Sequence, residues 1–336
     1  MNKILTISVA AYNAENDLRR CIDSMIKTTV AEKLEIIIIN DGSKDNTLLI
    51  AKEYETRFPS IIRVIDKENG GHGSTINASI KIATGKYYKI VDSDDWVDQE
   101  GMEKLVQRLE EIDVDLILNS YEDIEAETFK QTNLIKPYSD NAEIDIVQSI
   151  NYIDNIVIYM HSTTFRTEIV KQMGPIIDEN CFYVDMEYTL FPLKYVQNYI
   201  CFDFPVYQYL LGTATQSMNK NNLINRRDQH LKVTKRIIKY YEELKTNSET
   251  GIQKMVLRRV RLALLNQYKI YFNMNPSESK REIKLFDKWA KETSSDTYEG
   301  PEGRLMKVVK FNRQTEFIFF SLISRLMKAL KLEPVL

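Results

Sequence analysis

The sequence predicts an α/β protein: a mostly parallel sheet with helices on both faces, followed by an all-helical C-terminal region. Three observations carry that expectation. Short β-branched runs alternate with helical stretches over the first 120 residues, as successive strand–helix–strand crossovers require. One run, Leu34 to Ile39, is apolar enough to be covered on both faces. Beyond residue 222 the periodicity is helical alone, with apolar residues three and four apart.

Ile4 to Ala10 alternates as a strand does, and Glu15 to Lys27 carries Leu18, Cys21, Ile22, Met25 and Ile26 at helical spacing. After the Leu34–Ile39 strand come a helix over 44–57, a short strand at Ile61–Ile65 and a helix from Ser74 to Ala83. Gly85 marks a turn before Tyr87, Tyr88, Ile90 and Val91, the aromatic and β-branched residues of a buried strand. A helix over 100–111 and a strand at Val114–Leu118 complete the alternation. Glu122 to Asp145 is acidic and poorly periodic, as in a ribbon or a mobile insertion. Farther on, Leu231, Thr234, Ile237, Ile238, Tyr241 and Leu244 form one helical stripe, and Val256, Val260, Leu264 and Leu265 begin another. Asn275-Pro276 precedes a helix over 278–292, and Gly300-Pro-Glu-Gly303 is a second break. The stretch 304–332 sets Phe319, Leu322, Ile323, Leu326, Met327 and Leu330 on one side, with Arg325, Lys328 and Lys331 on the other. Such a helix suits packing on the domain, pairing with a second copy as a homo-oligomer, or peripheral contact with an anionic membrane.

At 336 residues the chain has room for about two domains. Its 45 basic and 48 acidic residues give a net charge of −3, which offers no field for nucleic acid. Cys21, Cys181 and Cys201 are odd in number and far apart, so reduced thiols are expected rather than disulfides or a zinc site. A strand begins almost at Met1 and no apolar run is long enough to cross a bilayer, so the expected location is the cytoplasm, with peripheral contact on the inner face of the membrane left open.

In an open parallel sheet, ligands bind beyond the carboxyl ends of the strands. The unusual residues fall there: Ala10-Ala-Tyr12-Asn13, Asn40-Asp41-Gly-Ser43, Glu68-Asn-Gly-Gly-His72-Gly73-Ser74, and Asp92-Ser93-Asp94-Asp95. Each has a local explanation, as a helix cap, a turn or a loop histidine. The glycine-rich stretch lacks both the dinucleotide pattern and the Lys-Ser/Thr of a phosphate loop. Convergence of four strand ends on one edge is the less accidental observation. Carboxylates packed this tightly repel one another unless a cation or an array of donors neutralises them, and oxygen ligands favour Mn²⁺ or Mg²⁺ over zinc.

Five segments, Ile7 to Asn13, Glu35 to Thr47, Asn69-Gly-Gly with Asn77, Ala83 to Tyr87 and Val91 to Trp96, occur in the order and spacing of family-2 glycosyltransferases. The first 120 residues or so resemble that family closely. The resemblance implies the GT-A fold, an inverting mechanism and a bacterial surface-glycan role. It divides the chain into a nucleotide-sugar-binding half over 1–120, an acceptor-binding half over 121–218 and a helical region over 219–336. It also implies residue roles. Tyr12 would lie against uracil and Asp41 would accept from its N3–H, with Ala10 and Asn13 beside them. Asp92 would hold the ribose next to Ser93, and Asp94 would ligate the metal. Gly73, Ser74 and Asn77 would face the sugar and phosphates. Gln216 and Ser217 would touch the diphosphate from a flexible loop over 206–218. Asp185 would be the catalytic base, with Glu187 as fallback.

Departures from the family pattern are few. Ala11 stands where proline is common, Ile76 where an arginine is usual, and Val184 where a glutamate precedes the base. His72 is a candidate replacement donor, and His161 lies in Tyr159–Arg166, which resembles a strand beneath the acceptor site. The implied activity is transfer of a hexosyl or N-acetylhexosaminyl group from a UDP-sugar to a glycan, teichoic-acid or lipid-linked acceptor, with Mn²⁺ or Mg²⁺. The missing glutamate keeps a non-catalytic nucleotide-sugar-binding or scaffold protein as the alternative. A dehydrogenase would need a glycine fingerprint after the first strand, and a nucleotidyltransferase a glycine-lysine loop there; Ala-Tyr-Asn fits neither.

Overall fold

A computed structural model describes residues 3–139, 142–212, 219–246 and 250–329. The chain divides into two compact units, Met1–Thr213 and Ala214–Leu336. In the first unit, strands β1 (Leu5–Ala11), β2 (Leu34–Asp41), β3 (Ile62–Lys67) and β4 (Tyr87–Asp92) pair in parallel in the order β3-β2-β1-β4. Helices α1 (Leu18–Ile26), α2 (Thr47–Arg57) and α3 (His72–Ile82) connect them. The expected alternation is therefore present. β2 is buried along its whole length, and α1 turns Leu18, Cys21, Ile22 and Met25 inward.

Beyond β4 come β5 (Trp96–Val97), α4 (Gln99–Glu111), β6 (Leu116–Glu125) and β7 (Gln131–Ile135). β6 and β7 form an antiparallel ribbon, the first of the two arrangements expected for the acidic stretch. After β8 (Gln148–Ser149), β9 (Thr163–Arg166) lies antiparallel between β4 and β6. Helices α5 (Thr167–Met173) and α6 (Asp185–Leu190) follow, then β10 (Asn198–Leu211), parallel to β6 and antiparallel to β5. The sheet is thus mixed, parallel on the β1–β4 side and antiparallel around β9. β6 runs through residue 120, so the two expected halves share one sheet. Gln216 and Ser217 lie outside the described residues.

The second unit is helical: α7 (Lys220–Asn225), α8 (Arg227–Leu244), α9 (Thr250–Asn273), α10 (Pro276–Thr293), α11 (Ser295–Tyr298), α12 (Arg304–Gln314) and α13 (Phe320–Ala329). α9 buries Val256, Val260, Leu264, Tyr268 and Tyr271. Asp287 accepts hydrogen bonds from Tyr268 at 2.5 Å, Arg313 at 2.7 Å and Tyr298 at 3.1 Å, so this buried carboxylate is fully neutralised by donors. The stretch 304–332 is two helices rather than one, because Glu316 and Phe317 adopt left-handed backbone between them. Lys328 donates to the carbonyls of Asn273 and Met274 instead of facing outward. α13 buries Phe320 and Ser324 and leaves Leu322 and Leu326 exposed, as is Phe319 just before it, so much of the apolar side for which packing, pairing and membrane contact were all open is on the surface. Leu330 and Lys331 lie outside the described residues.

Candidate active site

Parallel pairing brings the ends of β1 to β4 level. Ala10 is in register with Ile39 on one side and Asp92 on the other, and Asp41 with Lys67. Tyr12, just past β1, is 53% exposed. Asn13 has positive φ; its N–H donates to Ser43 Oγ, and its carbonyl oxygen Oδ1 accepts from the Lys44 N–H, tying the ends of β1 and β2 together.

The acidic tip of β4 is a turn in which the Asp95 N–H donates to the Asp92 carbonyl at 3.1 Å. Its three carboxylates are not equivalent. Asp95 is buried, and it accepts from Tyr207 Oη at 2.5 Å and from the Leu210 N–H at 2.8 Å. Tyr207 Oη in turn accepts from the Asp92 N–H at 3.1 Å. The far strand β10 therefore fixes the tip at both ends. On the other side Arg20 donates to the Asp94 carbonyl at 2.7 Å and stacks its guanidinium over Trp96, 4.5 Å from the ring centre. Ser93 is buried between them.

Burial is the main reason the three acids are pushed up from the ordinary carboxylate range, and repulsion from the neighbouring aspartates of the tip adds to it at Asp94 and Asp95. Asp94 reaches about 6, Asp95 goes well above the usual value, and Asp92 is raised with Asp185 contributing. Asp185 is thus close enough for its charge to be felt at Asp92. His72, at the start of α3, has Nε2 3.4 Å from Asp92 Oδ1, and its charge acts in the opposite sense.

His161 is half-buried and packs against Tyr209, Tyr207 and Tyr121, with ring centres 4.2, 4.8 and 5.1 Å away. Burial holds its pKa down at about 3, so the imidazole is neutral and able to act as a ligand. Beneath it Lys89, fully buried, donates to the carbonyls of His161 and Thr163 and is itself pulled down to about 7 by burial.

The donor set fits a hard divalent cation. Asp92, Asp95 and His161 offer ligand atoms within 4.8 Å of one another, and the buried His161 Nδ1 has no hydrogen-bond partner. Carboxylates crowded upward in pKa are what a cation relieves. Asp94, the expected ligand, adjoins this group rather than belonging to it. Asp95, part of it, already accepts one donor on each oxygen.

Four of the expected donor-site residues, Asp41, Gly73, Ser74 and Asn77, also hold two loops together. Asp41 accepts from Lys67 Nζ at 2.8 Å and from the N–H groups of Gly70 and Gly71 at 2.9 and 2.8 Å, which wraps the glycine loop around its carboxylate. Ser74 Oγ is 2.9 Å from the same lysine. Asn77 is buried; its Nδ2 donates to the Ile177 carbonyl at 2.9 Å, and its Oδ1 accepts from the Ile177 N–H at 3.1 Å. A Cβ at Gly73 would lie 2.0 Å from the Asp178 carbonyl oxygen, so only glycine permits this approach. The segment seated here leads directly to Asp185, which opens α6. Glu187, the fallback base, is fully buried and accepts from the Asp178 N–H at 2.8 Å.

Sequence reasoning missed Tyr207, Arg20 and the structural part of Asp95. The only local signal was the extra acid after the D-x-D pair, since Tyr207 is 112 residues from Asp95 in the chain.

A family model described as glycosyl transferase family 2 matches residues 6–174. Glycosyltransferase GlyA of Streptococcus pneumoniae is 37% identical over 117 residues, 35% of this chain and 16% of that protein. The uncharacterized glycosyltransferase YibD of Escherichia coli is 42% identical over 112 residues, 33% of this chain and 32% of that one. The minor teichoic acid biosynthesis protein GgaB of Bacillus subtilis is 28% identical over 183 residues, 54% of this chain and 20% of that one. The matched region thus spans a third or less of each of these relatives. Among solved structures, S. aureus TarS 1-349 in complex with UDP-GlcNAc aligns over 93% of this chain and 92% of its own, with a TM-score of 0.59 at 16% identity, a likeness of fold.

Proposed function

The chain belongs to glycosyl transferase family 2, and from that premise we propose that it transfers a hexosyl or N-acetylhexosaminyl group from a UDP-sugar to a hydroxyl of a glycan, teichoic-acid or lipid-linked acceptor, inverting the anomeric centre. What supports the reading is that Asp185, at the start of α6, adds its charge to what raises the pKa of Asp92 at the β4 tip. Inverting transfer needs that pair of functions, one group to hold the donor and one to take the acceptor's proton. The UDP-GlcNAc held by the TarS structure and the teichoic-acid role printed for GgaB support the choice of donor and acceptor class.

In this reading the exposed ring of Tyr12 receives the uracil, and Asp92 holds the ribose. Asp41 reaches the base only with lone pairs not already given to the glycine loop, so its first role is to hold that loop. His72 donates toward the diphosphate. Asp94, with Asp92 and His161 at hand, would hold Mn²⁺ or Mg²⁺, which when bound supplies positive charge against the departing diphosphate. Asp185 takes the proton of the incoming hydroxyl.

The test is UDP release from a panel of UDP-sugars with Mn²⁺. Asp185→Asn should lose about 10²–10⁴-fold in turnover while keeping UDP affinity, and Asp94→Asn should lose the metal-dependent part of that affinity. Full turnover by Asp185→Asn would refute the assignment of the base. A non-catalytic scaffold would release no UDP from any donor.

A further inference from the structure

The second unit carries an apolar stripe that nothing in the described residues covers. Ile318, Phe319, Leu322 and Leu326 are 62, 47, 57 and 51% exposed. At 100° per residue they fall together on one side of α13 and its lead-in, opposite Phe320 and Ser324, which are fully buried. Four large apolar side chains in a row are costly to keep in water and mark a docking face.

Charge says what docks there. On α10 the outward residues Lys280, Arg281 and Lys284, with Ser277 and Leu285, line a shallow pocket of about 440 Å³. Lys280 Nζ lies 3.3 Å from the carbonyl of Ile318, the first residue of the stripe, which joins the basic pocket to the apolar face. Arg325 is exposed on the flank of α13. The acids on the outer side of α10 are Glu278 and Glu292, the latter paired with Lys288, so positive charge is in excess. An apolar strip bordered by a cationic pocket is complementary to acyl chains bordered by anionic headgroups. A protein partner would need an acidic apolar surface; a second copy would bring its own cations against these.

We propose that this face lies on an anionic lipid bilayer, with the α13 stripe entering the acyl boundary and the Lys280–Arg281–Lys284 pocket receiving a lipid phosphate. The contact is independent of the donor site and does not rest on the transferase reading. No described helix is long and apolar enough to cross a membrane, so the association is in the plane of the surface.

Co-sedimentation of the full chain with phosphatidylcholine vesicles, with and without phosphatidylglycerol, tests it. The protein should bind the anionic vesicles and release as salt is raised. Lys280→Ala/Arg281→Ala/Lys284→Ala should weaken binding on the order of a hundredfold, at about fivefold per cation. Leu322→Gln/Leu326→Gln should weaken it at least about tenfold. Arg281, Lys284, Leu322 and Leu326 are exposed and Lys280 is half-buried with one surface hydrogen bond, so both variants should fold and keep UDP release toward a water-soluble acceptor unchanged. Equal vesicle binding by wild type and variants, or none by wild type, overturns the proposal. So does a wild-type dimer in sedimentation equilibrium that Leu322→Gln/Leu326→Gln dissociates, since a second copy would then cover the stripe.

Discussion

Replacing Tyr207 by phenylalanine removes one oxygen and nothing else, and that oxygen serves two partners. It meets Asp95 Oδ2 at 2.5 Å and accepts the Asp92 N–H at 3.1 Å, in a site where the tyrosine is fully buried. Water cannot replace it without entering the sheet. Each buried polar group left without its partner costs about 1–3 kcal/mol, so the pair should cost about 2–6 kcal/mol. For a unit of this size that is a fall in Tm on the order of 5–15 °C. Thermal and urea unfolding of wild type and Tyr207→Phe measure it directly. Tyr209→Phe is the control: its contact with His161 is made by the ring, which phenylalanine keeps, and a change under about 1 kcal/mol is expected. Since the lost links hold both ends of the acidic tip, metal-dependent UDP affinity should fall in Tyr207→Phe as well. A stability loss no larger than that of the control would refute the claim that β10 anchors the tip.

Other outcomes follow from single contacts. Gly73→Ala drives a Cβ into the Asp178 carbonyl, so it should destabilise by about 1–3 kcal/mol and lower turnover more than UDP affinity, because the displaced segment leads to Asp185; kinetics and calorimetry separate the two. Lys89 is pulled down to about 7 in the fold, so between that value and its ordinary pKa the unfolded chain binds the extra proton. Stability of the metal-free protein should therefore rise with pH, by about 2 kcal/mol from about pH 7 to about pH 9, and denaturant titrations should find that slope reduced in Lys89→Met. Cys21, Cys181 and Cys201 are all buried, and burial pushes Cys201 up to about 12. Iodoacetamide should leave the native protein unlabelled and modify all three thiols after unfolding, as mass spectrometry would record.

The elements that the sequence made legible are those whose signal is local. β1, β2 and β4 announce themselves by β-branched runs, α1 by its Leu18–Cys21–Ile22–Met25 stripe, and the acidic tip by its own spacing. What was not legible depends on partners far along the chain. β9 was marked only by the family resemblance of Tyr159–Arg166 and not by its own pattern: it is four residues long, two of them threonine, and it pairs with β4 and β6 on either side. Asn77 is buried by a segment 100 residues later, so the family pattern marks the position without saying what it touches. The α13 face follows the same logic in reverse. Its periodicity was clear, but which side meets the unit depends on Phe317 and Glu316 turning the chain before the helix begins.

The acidic residues gathered at this edge sort into two groups by one criterion, whether the oxygens already face donors. Asp41 accepts from two backbone N–H groups and a lysine, Asp95 from a backbone N–H and a buried hydroxyl, and Glu187 from the N–H of Asp178. Each closes a loop onto the sheet, and each is buried. Asp92, Asp94 and Asp185 are less enclosed and sit where strand ends and loops open. The acidic tip is therefore one framework residue, Asp95, and two groups whose charge is left to a ligand. The same division gives the family pattern its physical content. Removing Asp95 should loosen the tip, whereas removing Asp94 should leave the fold intact and take away only what the tip binds.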